Sequence, residues 1–227
     1  MGDKMIYIIS DTHRPSIHSD RDGLLRMIAN CRRNKGVIFL VGDNFDFWLR
    51  EWSQLIATEA DLIADILSMT EVWVPGNHDN ELADLTVISD EVRKKLGVTA
   101  KVYYPYALIE VDGKKWLIEH GHREGCMGWF FKACEKIEKI RMFQKAFRWM
   151  TRNTAIHTGR KNELYQKSIK KTLKKKAKKL GAEVVLFGHT HQAELSEEDG
   201  ITFVNAGTSL GGHTYALWSE GKFKLMK

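Results

Sequence analysis

Five short apolar runs, each broken by a polar turn carrying carboxylate, amide or imidazole groups, constrain this chain more than any other feature. Residues 37–40 read Val-Ile-Phe-Leu and lead into Val41-Gly42-Asp43-Asn44-Phe45-Asp46. A short apolar, β-branched run ended by glycine reads as a buried strand that delivers its next residues to a loop. Asp43 then stands at the carboxyl edge of a sheet, where open α/β folds place their ligands. The arrangement recurs four times: 6–9 precedes Asp11-Thr12-His13, 72–74 precedes Gly76-Asn77-His78-Asp79, 116–118 precedes His120-Gly121-His122, and 184–187 precedes Gly188-His189-Thr190-His191. Five strand ends bearing such groups point to a metal site.

The segments between them supply the fold. Over 22–33, Leu24, Leu25, Ile28 and Ala29 recur at helical spacing, and 52–69 does the same through Leu55, Ile56, Leu62, Ile63, Ile66 and Leu67. With strands over 5–9, 37–41 and 72–74 this is β-α-β-α-β, a parallel sheet with right-handed crossovers. Asp112-Gly113, between 107–111 and 114–119, is a two-residue hairpin signal. Short strands follow over 201–206, 214–218 and 223–225, with Gly221 at a turn. A strand-rich second half of this kind implies a second sheet packed on the first. Residues 123–181 contain no proline and no strand pattern, and read as two or three helices. They fall between two of the ligand-bearing stretches, which makes them a helical cap inserted into one α/β domain spanning 1–227.

With 227 residues and 43% hydrophobic content the chain is long enough for one sizeable core. No apolar run approaches the ~20 residues that span a bilayer. Residues 1–4 show no signal pattern, and whether they are a cloning remnant is left open. Cys31, Cys126 and Cys134 are odd in number and lack metal-type spacing, which fits a reduced, cytoplasmic protein with free thiols. A net charge of +6, from 35 Lys+Arg against 29 Asp+Glu, favours an anionic partner such as a nucleotide, nucleic acid or lipid headgroup.

Two divalent metals ~3.5–4 Å apart can clamp a phosphoryl group while activating water for in-line attack. A carboxylate with two oxygens is the natural bridge, and Asp43 is the choice for it. Nitrogen and oxygen donors without thiolate suit Mn²⁺, Fe or Zn²⁺. The order D-x-H, G-D, G-N-H-D, H-G-H, G-H-x-H, from Asp11 to His191, resembles the calcineurin-like metallophosphoesterases. The resemblance implies two packed β-sheets flanked by helices in four layers, and two divalent ions, Mn²⁺ first, with Fe or Zn²⁺ as alternatives. It implies Asp11, His13 and His191 around one ion and Asn77, His120 and His189 around the other, bridged by Asp43. His78 resembles the histidine that stabilises the transition state or protonates the leaving oxygen. Asp46 matches the carboxylate that orients it, against the plainer reading of a solvated loop residue. The nucleophile implied is a metal-activated hydroxide.

Phe45, Asp46 and Trp48 narrow the resemblance to the UDP-2,3-diacylglucosamine hydrolases, whose motif runs G-D-x-x-[DE]-x-W. The insertion is similar to the cap those enzymes place over a lipid-nucleotide, and 143–148 looks like its aromatic and basic face. Asn44, His122 and Arg148 are assigned to substrate, with loop filling as the alternative for His122. That branch has G-N-R-D where this chain has His78, so the reading stops at phosphodiester or pyrophosphate hydrolysis. Trp129, Phe130, Phe131, Phe143, Phe147 and Trp149 line an acyl or nucleobase pocket, pack on the main domain, or support a dimer. Eight lysines over 167–179, around Ile169, Leu173, Ala177 and Leu180, suit an anionic membrane surface such as the inner membrane. They also suit nucleic-acid phosphates, or the solvated face of a helix packed beside the next strand. His18, His157 and His213 lie outside the motifs, and His213, beside Gly211-Gly212, reads as a surface residue, with an approach to the site as the alternative. The rival functions are a metal-dependent nuclease or cyclic-nucleotide phosphodiesterase, a protein phosphatase hindered by the cap, and a metal-free binding scaffold, which the intact ligand set opposes.

Overall fold

The computed structural model describes residues 4–14, 16, 18–46, 52–79, 100–125, 128 and 163–227. Their elements run β1 (Ile6–Ile9), α1 (Arg21–Arg33), β2 (Val37–Val41), α2 (Trp52–Met69), β3 (Thr70–Val74), β4 (Lys101–Val102), β5 (Ala107–Val111), β6 (Lys114–Ile118), α3 (Glu163–Leu180), β7 (Val184–Phe187), β8 (Glu194–Glu198), β9 (Ile201–Asn205), β10 (Tyr215–Ser219) and β11 (Lys222–Met226). One sheet has the order β11-β10-β1-β2-β3-β4 and the other β5-β6-β7-β9-β8. β1, β2, β3 and β4 are parallel in the first, as are β6, β7 and β9 in the second.

The uninterrupted apolar strands follow from burial on both faces. Side chains alternate along a strand, so β1 sends Tyr7 and Ile9 into a core with Leu24, Ile28, Leu62 and Ile66 of the helices. Its Ile6 and Ile8 meet Trp116, Ile118, Val184 and Leu186 of the second sheet. Leu117, Val185 and Phe203 on the far side of that sheet pack on Ile169, Leu173 and Ala177 of α3. The result is four layers: α1 and α2, sheet, sheet, α3. Local chemistry sets the element ends. Asp20 caps α1 by accepting from Gly23 N at 2.8 Å. At the β5–β6 hairpin, Asp112 (φ 49°) and Gly113 (φ 74°) both adopt the left-handed region that a type I′ turn requires.

Four sequence expectations change. β4 is two residues long, too short to leave a pattern, and β8 (Glu-Leu-Ser-Glu-Glu) was not foreseen because an edge strand carries charge rather than apolar alternation. Helix α3, read within the cap, is instead the outer layer on the second sheet. Four of its lysines turn toward acids. Lys170 pairs with Glu194 and Glu198, Lys174 with Glu198 and Asp199, Lys176 with Glu119, and Lys178 with Asp199. That favours the packed-helix reading over a phosphate-tracking one. Finally, His213 is buried, not at the surface. Cap residues 126, 127 and 129–162, including Trp129, Phe130, Phe131, Phe143, Phe147, Arg148, Trp149 and His157, lie outside the described residues, as do residues 1–3, Trp48, Cys126 and Cys134. Cys31 is a buried free thiol. Among the described residues no helix is long and apolar enough to cross a membrane.

Candidate metal centre

The carboxyl ends of β1, β2, β3, β6 and β7 converge. The loop after β1 runs beside the loop after β2: Asp11 N donates to Gly42 O and His13 N to Asp43 O, each at 3.0 Å. In the second sheet, Gly188 N donates to His120 O at 3.0 Å. Asp11, His13, Asp43, His189 and His191 all have φ between 48° and 69°. Non-glycine residues rarely adopt this region, and such residues gather at active sites where the surroundings over-determine them. Here His189 N donates to Asp11 Oδ2 at 3.0 Å, and His78 N to Asp43 Oδ1 at 2.7 Å. The glycines are required by close approach: a Cβ on Gly42 would lie 2.4 Å from the His120 ring, and one on Gly76 2.2 Å from Asp43 Oδ1.

Three overlapping groups bring their donor atoms within 4.8 Å: Asp11 with His13 and His191, His13 with Asp43 and His78, and Asp43 with His120 and His189. His13 Nε2 is 3.1 Å from His191 Nε2, which is 3.3 Å from Asp11 Oδ1. The Nδ1 of His120 bonds to Val41 O at 2.9 Å, leaving Nε2 to face Asp43 Oδ2 at 3.1 Å. Fixing one ring nitrogen on a carbonyl presents the other to a cation. The donors fit a divalent metal: Asp11 Oδ1 and Asn77 Oδ1 are buried and accept no hydrogen bond, a costly state that a cation relieves. Burial works against charge on Asp43, yet His120 and His78 hold its carboxyl well below the usual range. Burial, then His120, drives His189 well below the usual imidazole range, so its ring is neutral as a metal ligand must be. Burial also opposes a proton on His78, but the Asp46 and Asp43 carboxylates push it up to about 9.

Residues 4–193 match the family model for calcineurin-like phosphoesterases. The chain belongs to that family. It is 26% identical over 226 residues to a UDP-2,3-diacylglucosamine hydrolase of Neisseria meningitidis serogroup C / serotype 2a, covering 90% of this chain and 89% of the relative. The Neisseria gonorrhoeae UDP-2,3-diacylglucosamine hydrolase is 24% identical, covering 88% of each. Among solved structures, an archaeal phosphodiesterase aligns over 98% of both chains with a TM-score of 0.55 at 16% identity. Vps29 of Chaetomium thermophilum aligns over 94% of this chain and 83% of its own, with a TM-score of 0.51 at 13% identity. These two likenesses concern the fold. The protein is a metal-dependent phosphoesterase.

The phosphoesterase's predicted residues mostly assemble. Asp11, His13, Asp43, His78, His120, His189 and His191 form the three groups, and Asn77 is buried in the loop that carries His78. Asp46 Oδ1 lies 3.1 Å from His78 Nδ1 and Asp46 Oδ2 3.5 Å from His13 Nδ1, so it is a buried partner of two rings and not a solvated loop residue. His122 is buried with its ring 5.4 Å from that of His120. Asn44 departs from its substrate assignment: it is fully buried, and its amide donates to Gly42 O at 3.1 Å, holding the loop from beneath. Arg148 lies outside the described residues.

Sequence reasoning gave Asp79 no role, though it closes the quoted G-N-H-D. Its carboxylate accepts from Asp43 N (3.2 Å), Asn44 N (3.0 Å) and Gly76 N, stapling the β2 and β3 loops. Burial and the charge of Asp43 raise its pKa to about 6. Thr190 was passed over as well. Its hydroxyl donates to Gln166 Oε1 and accepts from Asn205 Nδ2 at 3.0 Å, anchoring the residue between His189 and His191. Tyr165 OH lies 3.3 Å from His189 Nε2. Nothing in a lysine-rich helix marks Tyr165 or Gln166 as neighbours of a loop twenty residues on.

Proposed function

We propose that this phosphoesterase binds two divalent cations, Mn²⁺ first, and hydrolyses a phosphodiester or pyrophosphate bond in a lipid-linked nucleotide. Asp11, His13 and His191 hold one cation; Asn77, His120 and His189 hold the other; Asp43 bridges. When bound, the pair supplies the Lewis acidity that lowers the pKa of water and neutralises charge on the transferring phosphoryl group. The observation that carries the reading is the pair of buried donor groups around Asp11 and Asp43, joined by a third group that shares His13 with one and Asp43 with the other. Asp46 fixes the His78 ring through Nδ1, and His78 Nε2 stands 3.9 Å from Asp43 Oδ2. From there the ring donates a hydrogen bond to a phosphoryl oxygen, or a proton to the leaving oxygen. His122, beside His120, meets the substrate phosphate.

The lipid-linked nucleotide rests on near full-length similarity to the two Neisseria hydrolases and on the Gly42-Asp43-Asn44-Phe45-Asp46-Phe47-Trp48 motif. A substrate with acyl chains brings the enzyme to the cytoplasmic face of the inner membrane. The test is metal content after chelator-free purification, followed by hydrolysis with Mn²⁺ across UDP-diacylglucosamine, UDP-sugar, a bis-aryl phosphodiester, cyclic nucleotides, and short DNA and RNA. Two metals per chain and selective cleavage of UDP-diacylglucosamine are expected. Activity that persists with chelator or in Asp43→Ala sinks the metal mechanism, and preference for nucleic acid or cyclic nucleotide sinks the substrate.

A further inference from the structure

Beside the metal centre lies a cavity of about 610 Å³ between α1 and the loop joining β9 to β10. It shares His191 with the donor group of Asp11 and His13, and its size falls in the range of small-molecule sites. Its walls mix polar and apolar surface, the polar part supplied by Asp20, Arg26 and Asn30 from α1 and its cap and by Thr208, His213 and Thr214 from the loop. Gly211 and Gly212 adopt positive φ (76° and 142°), and a Cβ on either would meet nothing within 4 Å, so this stretch presents bare backbone.

His213 is the unexplained group. Its side chain is 5% exposed, its ring stacks on Tyr215 at 5.6 Å, and its Nδ1 lies 2.5 Å from Ser209 Oγ. Its Nε2 is buried with no hydrogen-bond partner. A native fold rarely leaves such an atom unsatisfied, and on a side chain set in the wall of a cavity beside the metal centre it points to a ligand that completes it. The ring is anchored on one nitrogen and braced on one face, so the free nitrogen is a fixed polar contact for a neutral group.

We propose that this cavity seats the nucleoside arm of the substrate, with His213 Nε2 as its fixed polar contact. The inference rests on the lipid-linked nucleotide reading, whose substrate carries two unlike arms. The acylated arm needs a long apolar surface, and the apolar side chains here are four, Met27, Ala193, Leu210 and Tyr215. The nucleoside arm needs hydrogen-bonding edges, and the threonines, Asn30, His213 and the glycine backbone supply them. Arg26, exposed on α1, adds a cation for the adjoining phosphate.

The test is a titration of metal-free protein, ¹³C-labelled at histidine Cε1, with uridine. The His213 signal, identified by its loss in His213→Phe, should shift saturably. Ala193→Trp, which places an indole in the cavity from an exposed wall position, should weaken binding at least 10-fold. No shift in the wild type, or equal affinity in Ala193→Trp, overturns the proposal. Mn²⁺-dependent hydrolysis of UDP-diacylglucosamine, measured on the same preparations, separates the two readings. A saturable shift without hydrolysis supports the nucleoside site and removes the substrate reading, whereas hydrolysis without a shift overturns the site alone.

Discussion

Thr190→Val tests whether the loop between β7 and β8 is held from outside the metal centre. Valine keeps the volume and removes the hydroxyl, so no cavity opens. Two hydrogen bonds disappear, to Gln166 Oε1 and from Asn205 Nδ2, worth about 2 kcal/mol together. Asn205 is fully buried, and its amide nitrogen keeps only a 3.4 Å bond to Gly188 O, so part of its desolvation cost goes unrecovered. The sum is about 3 kcal/mol, or a fall in Tm of about 6–12 °C for a chain of this size. Because His189 and His191 flank the residue, Mn²⁺ affinity should fall about 10-fold or more, the usual cost of losing a partner that orients ligands. Thermal melts of metal-free protein and a titration of free Mn²⁺ by electron paramagnetic resonance give the two numbers. In the double variant Gln166→Met, Thr190→Val the losses should fall short of additive by about 1 kcal/mol, since one bond is removed twice. A Thr190→Val protein that melts within 2 °C of wild type and binds Mn²⁺ with unchanged affinity refutes the argument.

Burial, only partly offset by Asp20 and reinforced by Arg26, lowers the pKa of His213 from 6.5 to about 4. Its neutral ring therefore contributes stability in full above pH 6.5, and that contribution drains as pH falls toward 4. Urea unfolding should show about 3 kcal/mol of pH dependence across that window that His213→Phe lacks, and parallel curves for the two proteins would exclude it. On α3, Lys170→Met leaves Glu194 without its buried cation and should cost about 2–3 kcal/mol, whereas exposed Lys175→Gln should change stability by less than about 0.5 kcal/mol; equal effects in chemical denaturation would contradict the packing. Burial pushes the Cys31 thiol up to about 11, so mass spectrometry should find Cys31 unlabelled by an alkylating reagent in native protein and labelled in urea.

How much the sequence disclosed depended on how local the cause was. β1, β2 and β7 are buried on both faces, so composition alone marked them, and Asp112-Gly113 marked its turn because both residues tolerate positive φ. The residues that the structure gathers into the candidate metal centre were legible because each closely follows a strand. What escaped was decided by distant partners. The acids of β8 and its turn choose which lysines of α3 are buried, and no periodicity within the helix records them. His213 reads as a surface residue after a pair of glycines until α1 is laid over it, with Gly23 so close that a Cβ there would lie 2.5 Å from His213 Cβ. Asn44 sits among the candidate ligands in sequence, yet its side chain is fully buried and tied to Gly42 O.

The place of β1 in its sheet has a consequence for synthesis. It pairs with β2 on one edge, a neighbour made at once, and with β10 on the other, a strand roughly two hundred residues later. Until β10 emerges, a fully apolar strand offers an open edge, the kind of surface on which unfinished chains pair with one another. The same delay withholds the loop that carries His213. A chain released before β10 would therefore be both sticky and unable to build the cavity, and its quality is decided at the last seam to close.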